Sequence, residues 1–105
     1  MEKVIRDGKV AVLISPGFGA GWSTWNRGHN DILLFHPKLV EMVEQGKQGQ
    51  INDEWMKENF NLDDVYCGGA EDLEIVWLDE GSAFTVEEYD GSESIRTCTD
   101  LTFTA

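Results

Sequence analysis

The feature that most constrains the fold is an unbroken apolar run, Val10-Ala11-Val12-Leu13-Ile14, entered through Asp7-Gly8 and left through a glycine-rich loop. Continuous rather than alternating apolar residues mark a strand covered on both faces, which makes this the central strand of its sheet. Asp7-Gly8 is a two-residue turn signal of the type I′ kind, so Lys3-Val4-Ile5-Arg6 is expected to pair with the run as a hairpin. A loop leaving the end of a buried strand starts from a rigid base.

That loop, Ser15-Pro16-Gly17-Phe18-Gly19-Ala20-Gly21-Trp22-Ser23-Thr24-Trp25-Asn26, packs three glycines and two tryptophans into twelve residues. Glycine costs backbone entropy and sits where the chain needs positive φ or a close approach. The pattern is neither G-x-x-x-x-G-K-[ST] nor G-x-G-x-x-G, and no lysine lies in it to hold a phosphate. Successive glycine N–H groups can still form a nest for an anion, with Arg27 and His29 to supplement it. Trp22 and Trp25 stand among Ser23, Thr24 and Asn26, and flat rings beside short polar groups suit a base, a sugar or a peptide. The competing reading is that both rings pin the loop to the core. The candidate binding residues here are Gly17, Phe18, Gly19, Gly21, Trp22, Ser23, Thr24, Trp25, Asn26 and Arg27, with a nucleotide-like small molecule as ligand.

Beyond the loop the pattern turns helical. Asn30 or Asp31 can cap a short turn through Ile32-Leu33-Leu34-Phe35, and Pro37 opens a helix with Leu39, Val40, Met42 and Val43 as its stripe and Gly46 as its stop. A second helix begins near Asn52-Asp53, turns Trp55, Met56 and Phe60 inward, and ends around Asn61. The remainder reads as strands: Val65-Tyr66-Cys67, Leu73 to Leu78, Ala83 to Tyr89, then Ser94 to Thr97 and Leu101 to Phe103 after the turn at Asp90-Gly91-Ser92. Trp55 and Trp77 fall in periodic contexts and read as core. The chain is therefore expected to be one α+β domain over residues 1–105, a mostly antiparallel sheet of five or six strands with the two middle helices packed on it.

Charge is distributed unevenly. Residues 1–50 hold five acids against six Lys and Arg, and residues 51–105 hold fifteen against two, for a formal net charge of −12. Binding to nucleic-acid phosphates or an anionic membrane depends on Lys and Arg, so direct nucleic-acid and membrane partners are disfavoured and a basic protein surface is favoured. The acids that would form such a surface are Asp63, Asp64, Glu71, Asp72, Glu74, Asp79, Glu80, Glu87, Glu88, Asp90 and Glu93. A solvated acidic face that keeps a small protein soluble is the plainer account of the same residues.

No motif assigns catalysis, metal or cofactor. His29 and His36 have no Cys or His at ligand spacing, no G-x-S-x-G accompanies Ser15 or Ser23, and the acids around Gly91 lack the twelve-residue calcium-loop spacing. Cys67 and Cys98 form no CxxC and read as reduced structural thiols. With no apolar run long enough for a membrane span and no apolar signal region at the N-terminus, the expected location is the cytoplasm.

The order S-P-G-F-G-A-G-W-S-T-W-N, L-L-F-H-P-K-L-V-E-M-V-E-Q-G, Y-C-G-G-A-E-D-L-E-I-V-W-L-D-E-G and F-T-V-E-E-Y-D-G-S-E-S-I resembles a group of small proteins of tailed bacteriophages and prophages, over nearly the whole chain. The resemblance implies a phage accessory protein acting in the host cytoplasm and transfers no catalytic residues. Small acidic phage accessory proteins are similar in character to host-defence antagonists such as anti-CRISPR proteins. Two functions follow as expectations: a non-enzymatic inhibitor whose acids occupy the basic, nucleic-acid-binding channel of a host defence nuclease, or a binder that holds a nucleotide or nucleotide second messenger at the glycine and tryptophan loop.

Overall fold

The computed structural model describes residues 2–26, 28–97 and 103–105. Among the described residues, six strands and three α-helices follow in the order β1 (Ile5–Arg6), β2 (Lys9–Ile14), α1 (Asn30–Phe35), α2 (Pro37–Glu44), α3 (Asp53–Phe60), β3 (Glu74–Asp79), β4 (Ala83–Tyr89), β5 (Ser92–Thr97) and β6 (Phe103–Thr104). The architecture is α+β with antiparallel pairing throughout, and its strands divide into two three-stranded sheets, β1-β2-β3 and β5-β4-β6. None of the described helices is long and apolar enough to cross a membrane.

Both hairpin turns have the chemistry their residues demand. Asp7 and Gly8 adopt φ of 52° and 74°, and Asp90 and Gly91 adopt 52° and 87°, the paired positive φ of type I′ turns that match strand twist. The first turn pairs Ile5 with Val10; the second pairs Tyr89 with Ser92 and Glu88 with Glu93.

β2 is the central strand of its sheet, and Val10 to Ile14 are all buried. Because side chains alternate across a strand, Ala11 and Leu13 enter one core cluster with Trp22, Leu33, Leu39, Met56 and Leu73. Val10 and Val12 enter a second cluster with Leu34, Phe35, Phe84 and Ala105. The strand is thus a partition with a core on each side. Helix α1 spans both, giving Leu33 to the first cluster and Leu34 and Phe35 to the second.

Helix ends follow local chemistry with one exception. The Asn52 side chain caps α3 by accepting from Trp55 N at 2.9 Å, Asn61 closes it at φ 56°, and Pro37 stands in the first turn of α2. The exception is α1, where neither Asn30 nor Asp31 caps. His29 occupies the N-cap position without a side-chain bond, and the helix begins on Asn30 itself. Val65-Tyr66-Cys67 is not a strand either, since Tyr66 bonds to the side chain of Asn26 instead of to a neighbouring strand. Burial, and secondarily the Asp53 carboxylate, pushes the Cys67 thiol up to about 11, so it stays protonated near neutrality. Cys98 and the start of the expected Leu101–Phe103 strand lie outside the described residues.

Candidate functional site

The glycine and tryptophan loop does hold an anion, and the anion comes from the protein itself. Glu93, on β5, is 1% exposed. One of its oxygens accepts from Ser15 N at 2.9 Å; the other accepts from Trp22 N at 2.7 Å, Thr24 N at 3.0 Å and the Thr24 hydroxyl at 2.5 Å. Three backbone amides and a hydroxyl converge on one carboxylate, which is the geometry of an anion nest. The Glu93 amide returns a bond to Ser15 O at 2.9 Å, and the Ser92 hydroxyl reaches Pro16 O at 2.6 Å, so the end of β2 is stitched to the start of β5. Glu93 therefore does not belong to the acidic surface. It is the internal ligand of the loop.

Glycines make that closure possible. A Cβ on Gly91 would stand 2.3 Å from Ala20 N, where the loop crosses the β4–β5 turn, and the Gly19 amide donates to Asp90 O there at 2.8 Å. A Cβ on Gly69 would meet Gly21 O at 2.6 Å, beside the Ser15 hydroxyl that donates to Gly69 O at 2.7 Å. At Gly91 and Gly69 two backbones touch, which only glycine allows.

The two tryptophans separate in role. Trp22 is fully buried, donates its indole N–H to Leu33 O at 2.9 Å, and pins the loop to the first core cluster. Its ring is unavailable to a ligand. Trp25 remains 43% exposed and stacks on Tyr66, 51% exposed, with centroids 5.6 Å apart and planes 20° from parallel. Asn26 holds the pair in place: its amide nitrogen donates to Trp22 O at 2.8 Å and Tyr66 O at 2.9 Å, and its oxygen accepts from Tyr66 N at 2.7 Å. Tyr66, Ser15 and Glu93 are thus the residues a reading of the loop alone overlooks. One signal pointed to Glu93: the two-residue turn at Asp90-Gly91 sets Glu88 opposite Glu93, and like charges directly opposite are unfavourable unless one is bound elsewhere.

Of the remaining loop residues, Ser23 is buried in a 3₁₀ turn, Phe18 is 72% exposed, and Gly17 packs against Asp72. Arg27 lies outside the described residues. His29 pairs with Asp64 at 2.9 Å, and the hydrogen bond from that ring, followed by its charge, holds the Asp64 carboxyl below the usual range.

The other acids are all on the surface: Asp63, Asp64, Glu71, Asp72, Glu74, Asp79, Glu80, Glu87, Glu88 and Asp90 are exposed. Asp64 is hydrogen-bonded to the His29 ring, and ion pairs engage Asp79 with Lys9 at 3.9 Å and Glu87 with Arg96 at 3.1 Å. Asp63, Glu71, Asp72, Glu74, Glu80, Glu88 and Asp90 have no ion-pair partner among the described residues. Glu71, Asp72 and Glu74 line an open cavity of about 390 Å³ with Pro16, Gly17 and Gln48. The side-chain amide oxygen of Gln48 is buried without a hydrogen-bond partner among the described residues. The polar side chains of this cavity offer mainly acceptors, a setting for a cationic group rather than a phosphate. No three His, Cys, Asp or Glu side chains among the described residues converge tightly enough to hold a metal ion.

Comparison with protein-family models, with curated proteins and with solved structures finds no match to the chain.

Proposed function

We propose that the protein is a non-enzymatic accessory protein of the phage type, acting in the host cytoplasm, whose acidic surface occupies the basic nucleic-acid-binding surface of a host defence nuclease. The observation that carries this reading is the set of seven exposed carboxylates, Asp63, Glu71, Asp72, Glu74, Glu80, Glu88 and Asp90, that have no ion-pair partner among the described residues. Such a surface attracts Lys and Arg over a range set by ionic strength, and it repels phosphates. The nucleotide reading is weaker, because the loop amides that would meet a phosphate already donate to Glu93.

The experiment measures inhibition of purified RNA-guided and restriction-type nucleases. The wild-type protein is compared with a variant carrying Glu71→Lys, Asp72→Lys, Glu74→Lys and Glu80→Lys, with low and high salt as the second variable. Inhibition that weakens at least about tenfold on charge reversal and fades with salt supports the proposal. Inhibition untouched by both sinks it.

A further inference from the structure

We infer that the Trp25–Tyr66 pair is an arginine-binding site, the anchor at which a guanidinium group of the basic partner docks. The inference rests on the proposal above that the partner is basic, and it names the point of attachment. Trp22 already fixes the loop to the core, so anchoring does not explain why a second tryptophan stays 43% exposed against a 51% exposed tyrosine. Their arrangement is built rather than incidental. A Cβ on Gly21 would lie 2.6 Å from the Trp25 ring, and the space beside Gly68 is filled by the Tyr66 ring, so each ring is seated on a glycine. Asn26 bonds the two segments together with two hydrogen bonds to the Tyr66 backbone, at 2.7 and 2.9 Å, and is itself held by a third to Trp22 O. Rings fixed in this way bind without first losing rotamer freedom.

Charge then selects the occupant. Flat groups that stack on an indole include nucleobases and guanidinium. A nucleotide brings a phosphate toward a protein of net charge −12 whose loop amides are already committed to Glu93. An arginine brings a cation to the negative face of the rings. Asp63 and Asp64 precede Tyr66 closely in sequence, and both are exposed. Asp64 is hydrogen-bonded to His29, whereas Asp63 has no ion-pair partner among the described residues and leaves an uncompensated negative charge on the segment that carries Tyr66. A lysine ammonium gains less, because it neither stacks nor forks. The expected preference is therefore arginine over lysine, in a protein segment and not in a nucleic acid.

The test uses three probes: a capped nona-arginine peptide, a capped nona-lysine peptide and a nine-nucleotide oligothymidylate. Each is titrated by calorimetry and tryptophan fluorescence against wild type, Trp25→Ala, Trp25→Leu and Tyr66→Ser, with thermal melting as the check on folding. Trp25→Leu keeps an apolar side chain over Gly21, and Tyr66→Ser removes the other ring, so the test has two ring deletions independent of Trp25→Ala. The expected result is arginine-peptide binding about fivefold or more tighter than lysine-peptide binding, with that margin lost in every folded ring variant and lysine-peptide affinity kept. Folded ring variants that retain the margin overturn the inference, as does an oligonucleotide that outcompetes the arginine peptide. If both peptides bind wild type equally and lose affinity with salt, the acidic-surface proposal stands and the arginine anchor falls. If neither peptide binds, both fall.

Discussion

Replacing Glu93 by Gln removes one charge and almost no volume, so the cost reads directly on the nest. The native carboxylate accepts four hydrogen bonds with 1% of its residue surface exposed. An amide has one acceptor oxygen and one donor nitrogen. In its better orientation the Gln oxygen faces Trp22 N, Thr24 N and the Thr24 hydroxyl, while its nitrogen confronts the Ser15 N–H. At least two buried donors, the Ser15 N–H and the new amide N–H that faces it, are then unsatisfied at about 1–3 kcal/mol each, and the three surviving bonds lose their charge assistance, each falling from about 1.5–3 to about 1 kcal/mol. Relief of carboxylate desolvation offsets part of this, leaving an expected loss of about 3 kcal/mol. For a domain of this size that is roughly a 12–24 °C drop in Tm. The assay is thermal and urea unfolding of Glu93→Gln beside Glu88→Gln, the exposed residue directly across the ladder, which should stay within about 0.5 kcal/mol of wild type. Amide exchange at Ser15, Trp22 and Thr24 should accelerate in Glu93→Gln alone. If the two variants melt together, Glu93 does not hold the loop and the account of the nest is wrong.

Gly91 and Gly8 occupy equivalent positive-φ turn positions, but a Cβ on Gly91 meets the Ala20 backbone whereas one on Gly8 meets open space. Gly8→Ala is expected to cost about 1–2 kcal/mol from backbone strain alone, and Gly91→Ala clearly more; equal costs by urea titration would contradict the packing of the loop on this turn. His36 caps α2 by accepting from Lys38 N at 3.1 Å, and its pKa is lowered by burial and then by Lys38. A lowered folded pKa means the unfolded chain binds more protons, so this stability is present above the unfolded value of about 6.5 and is lost as pH falls below it. His36→Asn keeps a capping side chain, and the stability difference between the two proteins should shift in its favour between about pH 7 and pH 5; parallel pH profiles would exclude the cap as the source.

The elements that local chemistry determines were legible in the chain: both Asp-Gly turns, the central strand, Pro37 opening α2, and Asn52 and Asn61 bounding α3. What the sequence did not reveal depends on contacts between distant residues. Glu93 sits in an acidic stretch where its one local mark is the like charge of Glu88 across the turn, and its partners are 69 to 78 residues away. The division into two sheets was hidden for the same reason, since strand composition says nothing about which neighbour a strand chooses. Val65 to Cys67 had strand residues, but the Asn26 side chain took both backbone groups of Tyr66. The loop itself was recognisable as a built feature, while the split between a structural Trp22 and an exposed Trp25 required the fold.

The carboxylate that closes the loop also imposes an order in time. Trp22 and Glu93 are separated by 71 residues, and a ribosome adds roughly 5–20 residues per second. A nascent chain therefore carries this loop without its anion for roughly 4–14 s, with Trp22 and the three amides still open to other partners. The aromatic plate on the loop becomes a finished surface only when the last hairpin emerges, which ties the maturation of the N-terminal third of the protein to the completion of its C-terminal sheet.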